Sequence, residues 1–95
     1  MTIEFNKNDG NLNVLIDGRL DTYTSPDFEM FLEENYEAGQ IVINCEKLAY
    51  VSSAGLRVLL GAHKKTKGAM KLINVSEVVM EVLEMTAFAE IFVIE

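Results

Sequence analysis

The chain has very few of the thiol and imidazole side chains that build disulfides, zinc sites or a histidine general base. Among its 95 residues there is one cysteine, Cys45, and one histidine, His63. A single cysteine cannot form an intrachain disulfide, and one thiol with one imidazole is too few for a metal cluster. The chain also lacks a phosphate loop of the G-x-x-x-x-G-K type. We therefore expect no metal, no cofactor and no nucleotide hydrolysis.

Basic charge and long apolar runs are also scarce. Fifteen acidic residues outnumber eight basic ones, so that the net charge is −7. Such a chain repels the phosphates of nucleic acids and of anionic membrane lipids. No apolar run approaches the roughly 18 to 20 residues of a membrane span, and the first ten residues do not resemble a signal peptide. We expect a cytoplasmic protein that binds neither nucleic acid directly nor a membrane.

The length leaves no room for a second domain. A chain of 95 residues, 49% of them apolar, has the composition of one compact domain. At this size only about 60 to 65% of the surface of the unfolded chain is buried on folding, so nearly all of the sequence must contribute to one core. We expect residues 1–95 to form a single domain without a deep substrate cleft.

The first part of the chain has the pattern of a hairpin followed by a helix. Two β-favouring segments, 2–7 and 11–17, flank the turn signal Asn-Asp-Gly at 8–10, which predicts two antiparallel strands. The run Ser-Pro-Asp that begins at Ser25 is typical of a helix start, with the Ser25 hydroxyl as the cap. Gly39 is predicted to end this helix. Its apolar face comprises Phe28, Phe31, Leu32 and Tyr36.

The rest of the chain alternates strands and helices. The run 40–44 is apolar without alternation, which predicts a strand near the sheet centre that is covered on both faces. A loop then leads to a second helix that ends at Gly68, segment 69–75 is a strand, Ser76 caps a third helix, and segment 91–94 is a closing strand. The residues expected inside the second and third helices are Leu56, Leu59, Leu60 and His63, and Val78, Val79, Val82 and Leu83.

This order, ββαβαβαβ, predicts an α/β fold. Strands joined through helices form right-handed crossovers and a small, mixed, mostly parallel sheet. The N-terminal strand is antiparallel, and the helices pack mainly on one face. Cys45, at the end of the central strand, is expected to be a small buried apolar side chain, and Met80 and Met85 are expected to fill the core.

Hydroxyl side chains mark the loops where function is expected. In open α/β sheets, functional residues gather beyond the carboxyl ends of the strands. The hydroxyl residues predicted to converge there are Thr22, Thr24, Ser25, Ser52, Ser53 and Ser76. Helix capping accounts for Ser25 and Ser76.

Two adjacent serines, Ser52 and Ser53, need a further explanation. One serine is enough to cap a helix, and here two precede Ala54 and Gly55, the smallest residues available. Small neighbours leave a hydroxyl approachable from outside, and the first turn of a helix favours an anion. The pair suits a phosphorylated serine, and the alternative is a capping role for both.

The segment 48–61, LAYVSSAGLRVLLG, resembles the phosphorylation-site segment of bacterial anti-sigma factor antagonists of the STAS domain family. The segment 18–21, GRLD, is similar to the G-x-L-D element of that family, and 82–88, VLEMTAF, is similar to its last-helix pattern. The resemblance covers almost the whole chain. It implies a STAS-like fold, a monomer, and a regulator that acts by binding another protein.

The resemblance also implies a mechanism. The unphosphorylated form would bind an anti-sigma factor that is also a serine kinase, and so release a sigma factor for transcription. Phosphorylation by that kinase would end the binding, and a serine phosphatase would restore it. Aligned on Gly55, the phosphoacceptor of the family falls on Ser53, with Ser52 as the alternative. Ala54 departs from the family, which has a second hydroxyl there, and Ser52 stands where relatives often have Asp.

Asp21 corresponds to a family residue at the partner-binding edge. The partner-binding residues expected in this chain are Asp21, Thr22, Tyr23, Thr24, Tyr50, Ser52, Ser53, Ala54, Gly55 and Arg57. An alternative function is a STAS scaffold or signalling-complex module that regulates another partner by the same phosphoserine switch.

An enzymatic reading is not favoured. It would require Ser52 or Ser53 as a nucleophile with His63 as its base. Ten residues along one helix correspond to about 15 Å, far beyond hydrogen-bond reach.

Overall fold

The structure is a computed structural model that describes residues 1–95. Its N-terminal hairpin confirms the sequence prediction: strand β1 spans Thr2–Asn8 and strand β2 spans Asn11–Leu20, and they pair antiparallel. Asp9 and Gly10, between the strands, have φ angles of 53° and 82°. Positive φ at both central residues is the type I′ turn, whose twist matches that of the flanking strands.

The other strands are short. Strand β3 spans Ile41–Asn44, β4 spans Leu48–Val51, β5 spans Met70–Ile73 and β6 spans Val93–Ile94. They form a sheet of order β1-β2-β3-β5-β6, with β4 paired to β2, and every pair except β1–β2 is parallel. The mixed, mostly parallel sheet with an antiparallel N-terminal strand is therefore confirmed.

Strand β4 is an addition to the predicted order, because its segment was expected to be a loop. Strand β3 pairs with residues 12–15 of β2, and β4 pairs with residues 18–20 further along. The long strand β2 therefore carries two short partners one after the other, and β4 brings the chain to the end of β2.

Three helices cover one face of the sheet. Helix α1 spans Ser25–Asn35, α2 spans Ser53–Lys65 and α3 spans Glu77–Met85, and a 3₁₀ turn spans Phe88–Glu90. Their buried side chains join those of the strands in one core. No helix combines the length and the apolar character that crossing a membrane requires.

The second face of the sheet carries no helix. Along β3, Ile41 and Ile43 are buried, whereas Val42 and Asn44 are half-buried. The prediction that this strand lies near the sheet centre is confirmed, but coverage on both faces is wrong. Valine favours a pleated strand whether or not a layer covers it, so the apolar run alone could not distinguish the two cases.

Helix α1 differs from its prediction at its end. It ends at Asn35, and Tyr36 already has an extended backbone, so Gly39 is not the helix stop. Gly39 has a φ of 86°, and a Cβ there would lie 2.6 Å from the carbonyl oxygen of Gly10. It is needed because the loop passes close to the hairpin turn.

Two helix faces differ from their predictions. In α2, Val58 and Ala62 are buried, while Leu60 and His63 are half-buried. Leu56 and Leu59 are buried as predicted. The difference arises because α2 packs against α1 as well as against the sheet, and together these contacts bury a wider stripe.

In α3, Val79 and Leu83 are buried as predicted. Val78 is 60% exposed and Met85 80% exposed, so neither fills the core. A nine-residue helix with one neighbouring layer buries only a narrow stripe, and these two side chains lie outside it.

Cys45 is a buried apolar side chain, as expected. It is 1% exposed, and its thiol donates to the carbonyl oxygen of Ile43 at 3.6 Å. Burial raises the pKa of this thiol to about 12. The reactive thiolate is therefore scarce at neutral pH.

Candidate functional site

The ends of β2 and β4 bring the predicted site residues to one edge of the molecule. Leu20 pairs with Val51, and the amide of Ser52 donates to the carbonyl oxygen of Leu20 at 2.9 Å. The loop before α1 and the first turn of α2 therefore start side by side. We call the surface formed by residues 19–25 and 50–57 the Ser53 edge.

A shallow cleft of about 390 Å³ lies between the starts of α1 and α2. Its lining includes predicted site residues from the starts of both helices and three residues that sequence reasoning missed, Pro26, Glu29 and Val58. The residues that line it are Thr22, Ser25, Pro26, Glu29, Ala54, Arg57 and Val58. Glu29 lies one turn beyond Ser25 on α1, so the helical repeat was the signal that could have identified it.

Gly55 holds α2 close to the sheet. It is buried, and an added Cβ would lie 2.8 Å from the carbonyl oxygen of Leu20 and 2.9 Å from a side-chain carbon of Val51. Gly55 was predicted to contact a partner, but it is buried beneath the exposed residues of the Ser53 edge. Its missing side chain allows the helix to approach the strand ends.

The two adjacent serines have different surroundings. Ser52 is the N-cap of α2, half-buried, and its Oγ accepts a hydrogen bond from the amide of Gly55 at 3.3 Å. Ser53 is the first residue of the helix and is exposed, and its hydroxyl makes no hydrogen bond. The cap function therefore belongs to Ser52, and the free hydroxyl is that of Ser53.

Asp21 organises the turn that precedes α1. Its Oδ1 accepts hydrogen bonds from the amides of Tyr23 and Thr24, at 3.0 and 3.1 Å. The single proton of the Thr24 hydroxyl is shared between the Arg19 carbonyl oxygen at 2.8 Å and Asp21 Oδ1 at 3.2 Å. In return, the Asp21 amide donates to Thr24 Oγ1 at 2.9 Å. This reciprocal pair has the pattern of a capping box, so the helical course of the chain effectively begins at Asp21.

The capping box explains why Ser25 does not cap the helix, contrary to the prediction. The Ser25 amide already donates to the carbonyl oxygen of Asp21 at 2.9 Å, which makes Ser25 a helical residue. Its side chain is 2% exposed, and its Oγ has no hydrogen-bond partner. By contrast Ser76 is the N-cap of α3, as predicted, and accepts from the amide of Val79 at 3.3 Å.

The same hydrogen bonds set the charge state of Asp21. The amide of Thr24, followed by smaller contributions from Tyr23 and the nearby Arg19, lowers the pKa of the Asp21 carboxyl below its ordinary value of 3.8. Donors that point at a carboxylate favour its ionised form. Asp21 is therefore a carboxylate at neutral pH.

Arg19 and Tyr50 form a cross-strand pair beside this turn. The Arg19 guanidinium carbon lies 4.3 Å from the centre of the Tyr50 ring, and its Nε lies 3.7 Å from Asp21 Oδ2. Arg19 is a site residue that sequence reasoning missed. Its place in the site follows from the pairing of β2 with β4, which the sequence alone does not indicate.

The outermost side chains of the Ser53 edge are Tyr23 and Arg57. Tyr23 is 88% exposed, more than any other large apolar side chain of the chain. Arg57 is exposed and belongs to none of the three ion pairs of the structure. Exposed aromatic and arginine side chains are the types that dominate protein interfaces.

His63 lies at the other end of α2 from the serines. Its ring packs against Phe92, with 5.8 Å between ring centres, and its Nδ1 is buried without a hydrogen-bond partner. No group of three or more His, Cys, Asp or Glu side chains is arranged to hold a metal ion. His63 is therefore separated from the polar residues of the Ser53 edge.

Comparison with known proteins gives a consistent match. The model of the STAS domain family matches residues 2–95. The anti-sigma-B factor antagonist of Bacillus subtilis is 30% identical over 95 residues, which span 96% of this chain and 87% of that protein. The anti-sigma F factor antagonist of Paenibacillus polymyxa is 31% identical over 97 residues, which span 96% of this chain and 83% of that protein.

Solved structures match the fold. The unphosphorylated form of the anti-sigma factor antagonist SpoIIAA superposes with a TM-score of 0.82 at 16% identity, over 99% of this chain and 88% of that one. The phosphorylated form of SpoIIAA from Bacillus superposes with a TM-score of 0.72 at 14% identity, over 99% and 91%.

Proposed function

Because this chain belongs to the STAS domain family and is similar to its anti-sigma factor antagonists, we propose that it binds an anti-sigma factor through the Ser53 edge. Binding would release a sigma factor. The anti-sigma factor would also be a serine kinase, phosphorylation of Ser53 would end the binding, and a serine phosphatase would restore it.

The observation that carries this proposal is the free hydroxyl of Ser53. It is exposed at the first position of α2, whereas the neighbouring Ser52 hydroxyl is used as the helix cap. A kinase needs a hydroxyl that it can reach without opening the fold, and Ser53 offers one. The relative SpoIIAA, which has been solved in unphosphorylated and phosphorylated forms, supports the same type of switch.

The physical effect of the phosphate is electrostatic. A phosphoserine adds about −1.5 to −2 charges and three acceptor oxygens at a single point of the surface. The domain already carries −7, so the added charge makes the Ser53 edge much less attractive to an acidic or apolar partner surface. Burying such a charge against a partner surface that offers no counter-ion costs several kcal/mol, and a penalty of about 3 kcal/mol weakens binding more than a hundredfold.

The residues around Ser53 would have different roles in binding. Tyr23 and Arg57 are exposed and would supply contact energy. Asp21 and Thr24 bond to each other, so they would act by shaping the turn that presents Tyr23. Gly55 would act only through the position of α2.

The test is a binding titration of Ser53 variants against the cognate anti-sigma factor. We expect Ser53→Ala to bind the anti-sigma factor whether or not ATP is present, because it has no acceptor hydroxyl. We expect Ser53→Asp to bind at least tenfold more weakly, since a carboxylate supplies part of the charge of a phosphate. Mass spectrometry after incubation with the kinase and ATP should locate the phosphate on Ser53.

Ser52→Ala is the matched control. It removes a hydroxyl one position earlier and should lower stability by about 1 kcal/mol through loss of the cap, while phosphate incorporation continues. Equal affinities of the Ser53→Ala and Ser53→Asp proteins, or phosphate found on Ser52, would contradict the proposed switch.

A further inference from the structure

The two arginines of this chain both lie on the Ser53 edge, and only Arg19 has a partner within the chain. Arg19 lies 3.7 Å from an Asp21 oxygen and stacks over the Tyr50 ring at 4.3 Å. Arg57 makes no ion pair and no hydrogen bond through its guanidinium group, although acidic residues outnumber basic ones by 15 to 8. An exposed, unpaired guanidinium on such an acidic chain is available to another anion.

Helix geometry places Arg57 next to Ser53. Both residues lie on α2, four positions apart, and both are exposed. Side chains at i and i+4 of a helix are neighbours, with Cβ atoms about 5 to 6 Å apart. Side chains on a helix lean toward its N-terminus, so the long side chain of Arg57 can reach back to Ser53.

No other anion of α2 competes for Arg57. The first turn of α2 contains no acidic residue, whereas the first turn of α1 contains Asp27 and that of α3 contains Glu77. Glu29 of α1 lines the same cleft as Arg57, but its carboxylate forms no ion pair with it. A phosphate on Ser53 would therefore be the first anion within one helical turn of Arg57 on its own helix.

We propose that Arg57 is the internal counter-ion of phosphorylated Ser53, and that phosphorylation withdraws this guanidinium from the binding surface. The proposal rests on the proposed function only for the claim that Ser53 is the residue modified. A guanidinium can donate two parallel hydrogen bonds to phosphate oxygens, which fixes both groups. The modification then changes the Ser53 edge twice, by adding an anion and by removing its unpaired arginine from contact with a partner.

The pair can be tested without a kinase or a binding partner. Phosphoserine is placed at position 53 of the full chain by codon suppression, and the phosphate is titrated by ³¹P NMR. With Arg57 present, the second pKa of the phosphate should lie about half a unit below its value in the phosphorylated Arg57→Gln variant. This is about a threefold difference in proton affinity. The Arg57 Nε–H resonance should move as the phosphate becomes a dianion.

Two further variants separate the pair from a general charge effect. Lys64→Gln removes an exposed cation of the same helix about 16 Å away along its axis, and should leave the titration unchanged. Arg57→Lys keeps the charge without the planar fork, and should give an intermediate pKa. Circular dichroism establishes that each phosphorylated variant is folded.

The same second phosphate pKa in the unchanged protein and in Arg57→Gln would overturn the pairing. A shift of that pKa in Lys64→Gln as large as the shift in Arg57→Gln would also overturn it. Neither result bears on whether an anti-sigma factor kinase modifies Ser53. If the pairing is observed and no kinase modifies Ser53, the proposed function fails and the ion pair stands.

Discussion

At the scale of single residues, position on the edge does not determine how a side chain acts there. Asp21 was expected to contact a partner, and its Oδ1 is occupied by two amides and one hydroxyl of its own turn. Tyr23 contributes one of these amides, but its side chain makes no hydrogen bond and the residue is 88% exposed. Asp21 therefore fixes the shape of the turn, and the Tyr23 side chain is the part of the turn exposed for contact.

The hydrogen bonds of Asp21 predict a pH-dependent contribution to folding. Because the pKa of Asp21 is lower in the folded protein than its ordinary value of 3.8, ionised Asp21 stabilises the fold. That contribution is fully present above pH 3.8 and is lost as the pH falls through the lowered folded value. We expect Asp21→Asn to lower the free energy of unfolding at pH 7, and the difference from the unchanged protein to shrink toward zero in acid.

Denaturant unfolding at a series of pH values measures this effect. Asp17→Asn is the matched control, because Asp17 is an exposed carboxylate of β2 whose side chain makes no hydrogen bond. A loss of stability for Asp21→Asn that is the same at pH 7 and in acid would rule out a role for the charge.

At the scale of helices and strands, local signals in the sequence were sufficient where the structure uses local bonds. The Asp9-Gly10 turn formed as predicted, since its backbone angles depend on those two residues. Ser76 caps α3 through an amide only three residues away. Both features could be read from a few adjacent residues.

Features that depend on distant pairing could not be predicted in this way. Segment 48–51 resembles a loop and becomes a strand only because residues 18–20 of β2 remain unpaired beyond β3. The need for glycine at position 55 depends on Leu20, 35 positions earlier. The proximity of the two helix starts, and with it the cleft between α1 and α2, follows from these same long-range contacts.

The different caps of α1 and α3 predict that two similar substitutions have different effects on stability. Ser76→Ala removes a cap that accepts a helix amide, and should lower the free energy of unfolding by about 1 kcal/mol. Ser25→Ala removes a buried hydroxyl that has no partner, so we expect a stability equal to or slightly above that of the unchanged protein.

Thermal and denaturant unfolding of the two alanine variants compares them directly, and circular dichroism establishes that both retain their helices. A loss for Ser25→Ala as large as that for Ser76→Ala would mean that the Ser25 hydroxyl has a partner in solution, and that the capping box at Asp21 does not replace it.

At the scale of the whole molecule, the Ser53 edge is a small surface on a rigid support. Gly55 is packed against the ends of β2 and β4, and the Ser52 amide is bonded to Leu20. Ser53 projects from this support, and its side chain makes no hydrogen bond to the rest of the chain. A phosphate on Ser53 can therefore be accommodated at the surface without displacing the core.

This arrangement predicts that phosphorylation leaves the fold unchanged. In amide NMR spectra of the unmodified and phosphorylated protein, shifts should be confined to residues 19–25 and 50–57, with β1, β5 and β6 unaffected. The physical reason is that an exposed charge is screened by water and salt within about 8 Å, and its own helix is anchored by buried contacts. The Cα radius of gyration, 11.9 Å here, should stay the same. Shifts spread through β5 and β6, or an expanded chain, would mean that phosphorylation acts by a change of conformation and would contradict the proposed surface-charge mechanism.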